Sequence, residues 1–109
     1  MVKVTDEIVM ESILGHCKHV EELINIFPNK EDILKEKMYR DVLCYHVLLI
    51  GEQSQDFTQS FIEAHKEINW DRIKRIHDRI YTEDVEILFD EVWNIAVNEI
   101  PDFYKSIQK

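Results

Sequence analysis

The sequence predicts an all-α fold, an antiparallel helical bundle of four to five helices formed by a single domain over residues 1–109. Three observations predict it. The 109 residues include only two Gly and two Pro, whereas an antiparallel β protein needs many tight turns and so more of both. Apolar residues make up 45% and charged residues 32% of the chain, enough for one core and too apolar for disorder. Apolar residues also recur at three- and four-residue spacing in five segments, the rhythm of helices with one buried face.

The first helix is expected to start near Thr5 or Asp6, which can cap it, and to run to about Phe27. Val9, Ile13, Cys17, Val20, Ile24 and Phe27 form its stripe. Pro28-Asn29 breaks it, and Asn29 with Asp32 three residues on can restart a helix. A second segment, from about Asp32 to Phe57, carries Ile33, Leu34, Met38, Val42, Tyr45, Leu49 and Ile50. Gly51 lies inside it, where a helix normally avoids glycine, and this points to the close approach of another backbone or to a bend. A short third helix covers roughly Thr58 to Lys66. The fourth runs from Trp70, capped by Asn69, to about Ile80. The fifth starts at Thr82, with Glu83 and Asp84 suiting the positive end of its dipole. It continues through Val85, Leu88, Phe89, Val92, Ala96 and Ile100 to Pro101, and a short tail helix comes after it. Short connections imply antiparallel neighbours.

The formal net charge of −9 bounds the partners. A protein that grips a nucleic-acid backbone by charge is basic on at least one face, so any RNA contact here must rest on a local patch. The same acidity argues against adsorption to anionic membranes. The first twenty residues carry charges throughout and no apolar core of signal-peptide length, and the longest apolar run, Val47 to Ile50, is far too short to span a bilayer. Cys17 and Cys44 read as free, buried thiols of a reducing compartment. A cytoplasmic protein is expected.

Three stretches carry a family resemblance. Val47-Leu48-Leu49-Ile50-Gly51-Glu52-Gln53 is similar to the Ile-Gly-Glu-Ala signature of HepT-like proteins. Phe61 through Trp70, FIEAHKEINW, is similar to their phenylalanine followed by His-Pro-Glu-Ile-Pro-Trp. Trp70 through Trp93 and on to Pro101 resembles their C-terminal half, and together the stretches cover about the last two-thirds of the chain. The chain thus resembles the HEPN class, and within it the HepT toxins of prokaryotic toxin–antitoxin pairs. The resemblance implies a HEPN-like bundle that forms a homodimer with its cleft at or near the dimer interface. It also implies metal-independent RNA cleavage with no cofactor. The implied partner is an MNT-type nucleotidyltransferase antitoxin, which in well-studied members adenylylates a tyrosine beside the catalytic histidine.

The family motif is an arginine, four to six residues, a histidine, and a tyrosine two beyond. Counted from Trp70 and checked against Trp93, the arginine's place falls on His77 and the next, polar place on Asp78. The histidine's place falls on Thr82 and the tyrosine's on Asp84. Metal-free cleavage needs a group to deprotonate the 2′-hydroxyl and a cation to stabilise the phosphorane. Threonine cannot titrate near neutrality, and Asp84 repels phosphate and has no hydroxyl to adenylylate. His77 keeps an imidazole, in the arginine's place. A literal arginine–four–histidine string, Arg72 to His77, lies inside the expected fourth helix with its ends on different faces and reads as coincidence.

Arg72, Arg75 and Arg79 keep a helical rhythm. They read either as an RNA-binding strip or as a solvated face paired with neighbours, for instance Asp71 with Arg75 and Arg75 with Asp78. His77 shares a face with Ile73 and Ile80 and is expected to point into the bundle or the dimer cleft, lined also by Thr82, with the fourth and fifth helices at that cleft. Glu52 is either structural or part of the cleft. His16, Cys17 and His19 resemble a metal seed without further ligands at suitable spacing, so no metal site is expected. Three functions stay open: a HepT-like ribonuclease toxin with a remodelled site, a cleavage-silent HEPN module that recognises nucleotides or a nucleotidyltransferase, and a helical interaction module unrelated to RNA.

Overall fold

The structure is a computed structural model that describes residues 5–80 and 84–108. The described residues hold helices and no strand. In chain order they are α1 (Asp6–Ile26), α2 (Lys30–Lys35), α3 (Lys37–Ser54), α4 (Gln59–Ala64), α5 (Trp70–Lys74), α6 (Ile76–Arg79), α7 (Val85–Asn94), a π-helical turn (Ile95–Glu99) and α8 (Ile100–Ile107).

Helix α1 starts where its capping chemistry places it, with the Thr5 hydroxyl accepting from the Ile8 N–H at 3.3 Å. Val9, Ile13, Cys17, Val20 and Leu23 are its buried face. α1 lies antiparallel along α3, since Ser12 bonds Gln53, His16 bonds His46, and Phe27 packs on Tyr39. α3 turns Leu43, Val47, Ile50, Gly51 and Ser54 inward. Met38, Val42 and Tyr45, which share its helical rhythm, stay on the outside. The expected second segment is therefore two helices, broken at Glu36, whose ψ of 84° is not helical.

The Asp6 carboxylate accepts from the Thr58 N–H at 2.8 Å and from its hydroxyl at 2.6 Å. Thr58 in turn caps α4 by accepting from Phe61 N–H at 3.2 Å, which ties α4 to the start of α1. From α7 the chain stays helical through the π-helical turn and into α8, across Pro101. The Ile100 N–H bonds back five residues to Ile95 rather than four, and this wider turn carries the helix past a proline that has no N–H to give. α8 then buries Ile100, Phe103 and Ile107 against the common core.

Candidate functional site

The corner that bears the family positions is built on Trp70. Its ring packs edge-on against Phe57, Phe61 and Phe103, and its indole N–H donates to the His65 carbonyl at 2.9 Å. Asn69 caps the next helix by accepting from Arg72 N–H. The expected fourth helix is divided at Arg75 (φ −96°, ψ 13°) into α5 and α6. Ile73, Ile76 and Ile80 are buried, and they take the inward face.

His77 consequently does not point into this chain's own bundle, as its spacing from Ile73 and Ile80 suggested. Its side chain is 52% exposed, with Nδ1 3.9 Å from Asp78. The break at Arg75 is the physical reason, because it resets the helical phase and hands the inward place to Ile76. Gly51 of α3 holds α6 in position: a Cβ there would stand 2.8 Å from Ile76 Cβ and 3.1 Å from the Ile73 carbonyl oxygen. The glycine marks a close approach of helices, as its place in the sequence indicated.

The three arginines do different things. Arg79, only 18% exposed, donates to Glu99 and through Nη2 to Glu91 Oε1 at 2.9 Å. Arg72 holds the same Glu99 in a two-pronged grip, Nε to Oε1 at 2.9 Å and Nη2 to Oε2 at 3.2 Å. Burial pushes the Glu99 carboxyl up, but hydrogen bonds from Arg79 and Arg72, and then their charge, outweigh it and hold the group below its ordinary value. The Arg79 guanidinium is held above its ordinary value, first by its hydrogen bond to Glu99. Arg75 is 68% exposed, with Asp71 at 3.8 Å, one of the two neighbour pairs that its spacing suggested. A shallow groove lined by Asn69, Asp71 and the three arginines runs beside it. Arg75 is thus the most exposed of the three, while Arg72 and Arg79 tie α5 and α6 to α7 and the π-helical turn.

Asp78 is exposed beside His77, and Asp84 is exposed just ahead of α7, where its carbonyl accepts from Leu88 N–H. Thr82, in the family histidine's place, lies outside the described residues. Glu52 is exposed on α3, and the contact with α6 belongs to its neighbour Gly51. Arg72 and His77 are separated by the break at Arg75 rather than sharing one helix, and the Arg72 guanidinium is engaged by Glu99.

Sequence reasoning missed Glu91 and Glu99. Their signal is faint: acids eight residues apart in a stretch from Leu88 to Ile100 that also holds Asp90, Asn94 and Asn98. It also missed His46, which joins His16 and His19. The His16 and His46 Nδ1 atoms lie 2.8 Å apart, one donating and the other accepting, and the His19 and His46 rings are 4.7 Å apart. Burial pulls the His46 pKa down to about 4, and the neighbouring His16 and His19 add to the effect. Among the described residues no three such groups are arranged to hold a metal ion. Both cysteines are free thiols. No helix among the described residues is long and apolar enough to cross a membrane.

A family model described as Ribonuclease HepT-like matches residues 4–109. The chain belongs to the HepT-like family. Among curated relatives, one from Methanocaldococcus jannaschii named "Putative RNase MJ0127" is 23% identical over 97 residues, which span 89% of this chain and 79% of that protein. Another, "Putative RNase TTE0752" of Caldanaerobacter subterraneus subsp. tengcongensis, is 23% identical over 100 residues, 92% of this chain and 88% of its own length. No solved structure matches. The HepT-like assignment accounts for the Trp70 corner and for the helical bundle around it.

Proposed function

We propose that this HepT-like chain is the toxin-side component of a toxin–antitoxin pair. In this reading it is a cytoplasmic homodimer that binds an MNT-type nucleotidyltransferase and RNA, and it has given up the cleavage step of its ribonuclease family. One observation carries the reading. At the corner where the family's reactive groups belong, the arginine's place holds an exposed His77, and the nearby guanidiniums of Arg72 and Arg79 are both committed to Glu99. A phosphorane needs an uncommitted cation aimed at the charge it develops. Arg75 remains, on the rim of the groove, suited to positioning a phosphate rather than to stabilising a transition state.

The test is incubation of the purified chain with RNA. Salt-sensitive binding, weakened several-fold by Arg75→Glu, with no cleavage above a protein-free control, is the expected result. A second reading rests on the exposed His77 imidazole beside Asp78, the kind of side chain that most often moves protons in general acid–base catalysis. Cleavage that disappears in His77→Ala would establish this second reading and overturn the loss of cleavage. Mass measurement after co-expression with the nucleotidyltransferase encoded beside the gene tests the pairing, and failure to form a complex would remove the toxin–antitoxin assignment.

A further inference from the structure

Two grooves meet at Arg72. One is the shallow groove lined by Asn69, Asp71 and the three arginines. The other, about 210 Å³, lies between α5 and the stretch that runs from the π-helical turn into α8, and it shares Asn69 and Arg72 with the first. Pockets for drug-sized ligands run to roughly 300–1,000 Å³, so this one suits a fragment such as a single flat ring system. Ile68, Ile73 and Phe103, all buried, give it an apolar floor.

The Arg72 guanidinium borders this groove as a fixed plate. Its Nε and Nη2 are both engaged by Glu99, at 2.9 and 3.2 Å, yet its side chain is 52% exposed. A guanidinium held along one edge keeps its flat sides for stacking, and unpaired nucleobases stack on such planes. The remaining polar groups are mostly acceptors. Glu67 and Asp102 are exposed carboxylates on the rim. The Asn98 amide nitrogen donates to Asn94 at 2.6 Å, which leaves its own oxygen as an acceptor. Asn69 is the reverse, because its oxygen caps α5 by accepting from Arg72 N–H and its amide N–H groups are left to donate.

We propose that this second groove is a base subsite that selects guanine in single-stranded RNA. The ring stacks on the Arg72 plate, its N1–H and 2-amino group donate to the Asp102 carboxylate, its O6 accepts from Asn69, and the adjoining phosphate lies on Arg75. Guanine alone among the four bases carries two donors side by side on its Watson–Crick edge, which match the two oxygens of one carboxylate. Adenine and cytosine put a ring acceptor beside their amino group, and uracil flanks its one N–H with two carbonyls, so each sets an acceptor against the carboxylate. The grooves also keep charges of one sign apart: Glu67 and Asp102 border only the base subsite and Arg75 only the basic groove, whose one acid, Asp71, has Arg75 3.8 Å away. The inference rests on the RNA binding proposed above and names the base that it selects.

Fluorescence anisotropy on the full chain tests this, with a labelled nine-nucleotide oligouridylate as probe, either all uridine or carrying one central guanine. The guanine oligonucleotide is expected to bind about tenfold tighter, as one bidentate contact to a base allows. Inosine in its place, which lacks the 2-amino group, should lose most of that gain. Asp102→Asn, with helical content unchanged, should erase the difference between the two oligonucleotides, whereas Arg75→Glu should weaken both alike. Equal, salt-sensitive binding of both oligonucleotides overturns the subsite and leaves the RNA reading intact, and a guanine preference that survives Asp102→Asn overturns its placement. Binding of neither oligonucleotide overturns both the subsite and the RNA reading. Guanosine 5′-monophosphate that binds as tightly as the guanine oligonucleotide overturns the assignment to RNA and makes a free nucleotide the occupant.

Discussion

The chain has two glycines, both inside helices, and the structure demands opposite responses to the same substitution at each. In Gly51→Ala the added methyl would lie 2.8 Å from Ile76 Cβ and 3.1 Å from the Ile73 carbonyl oxygen. Carbon atoms in contact sit about 3.5–4.0 Å apart, so α3 must part from α5 and α6 by roughly 0.7–1 Å. Overpacking of this kind costs roughly 1–3 kcal/mol, offset by about 1 kcal/mol from replacing a mid-helix glycine. The atoms met are a β-carbon and a backbone oxygen, which cannot swing aside, so the overpacking falls in the upper part of that range and the net loss is about 1–2 kcal/mol, or roughly 4–8 °C in melting temperature for a domain of this size. In Gly15→Ala the methyl meets nothing within 4 Å, so the propensity gain of about 1 kcal/mol stands alone and raises the melting temperature by about 4 °C. Thermal unfolding monitored by far-ultraviolet circular dichroism reads both. A Gly51→Ala variant as stable as its parent, or two glycines that respond with the same sign, would refute the packing of α6 on α3 on which the position of His77 depends.

Three further outcomes are expected. Glu99→Gln removes the carboxylate shared by Arg79 and Arg72, whose partners are largely shielded from water at the Arg79 side, and should cost about 2 kcal/mol in urea unfolding, more than the same change at the more exposed Glu91. The His46 pKa is held at about 4 against an ordinary 6.5, with His16 and His19 facing it from α1, so the unfolded chain takes up the proton first. Stability should therefore fall as pH drops from about 6.5 towards 4. His46→Asn should flatten that slope, while the stability held by Glu99, whose carboxyl sits below its ordinary value, should be lost only below about pH 4.5 and vanish from the Glu99→Gln profile. Burial pushes the Cys17 thiol up to about 12 and Cys44 to about 11, so neither should react with a thiol reagent at pH 8 until the chain unfolds, and rapid native labelling of Cys17 would contradict its place in the core.

The bundle was legible because its physics is local. Thr5, Thr58 and Asn69 each cap the helix next in the chain, and the inward stripe of α1 is the one its spacing shows as far as Val20, after which Leu23 is buried and Ile24 and Phe27 are half-buried. The HepT-like assignment was legible from the stretch around Gly51 and the two tryptophans, and the family match over residues 4–109 agrees with it. Helical phase is the property that spacing could not show. α3 carries two apolar rhythms, Leu43–Val47–Ile50 and Met38–Val42–Tyr45, and only tertiary packing decides that the first goes inside. At Arg75 a single non-helical residue shifts the phase of the next turn, so Ile76 rather than His77 faces the core. The ligands of the arginines were hidden for a related reason: Glu91 and Glu99 lie 12 and 20 residues beyond Arg79, and local pairing rules do not reach that far.

The π-helical turn connects these failures. In an unbroken α-helix, residues 91 and 99 would stand roughly 80° apart around the axis, too far for one guanidinium to serve both squarely. The turn at Ile95–Glu99 holds more residues per revolution, which rotates Glu99 back towards the line of Glu91 and lets Arg79 bond the two together. Pro101 occupies the stretch where the regular ladder would need an N–H that it lacks, so the widened turn and the proline belong to one device. That device draws Arg79 away from solvent and engages the half-exposed Arg72 with the same carboxylate, at the corner on which the family motif's positions fall. Two residues far from the motif, Pro101 and Glu99, thus decide how Arg79 and Arg72 are held at this corner, and Arg75, paired among the described residues only with Asp71 at 3.8 Å, lies outside the clamp.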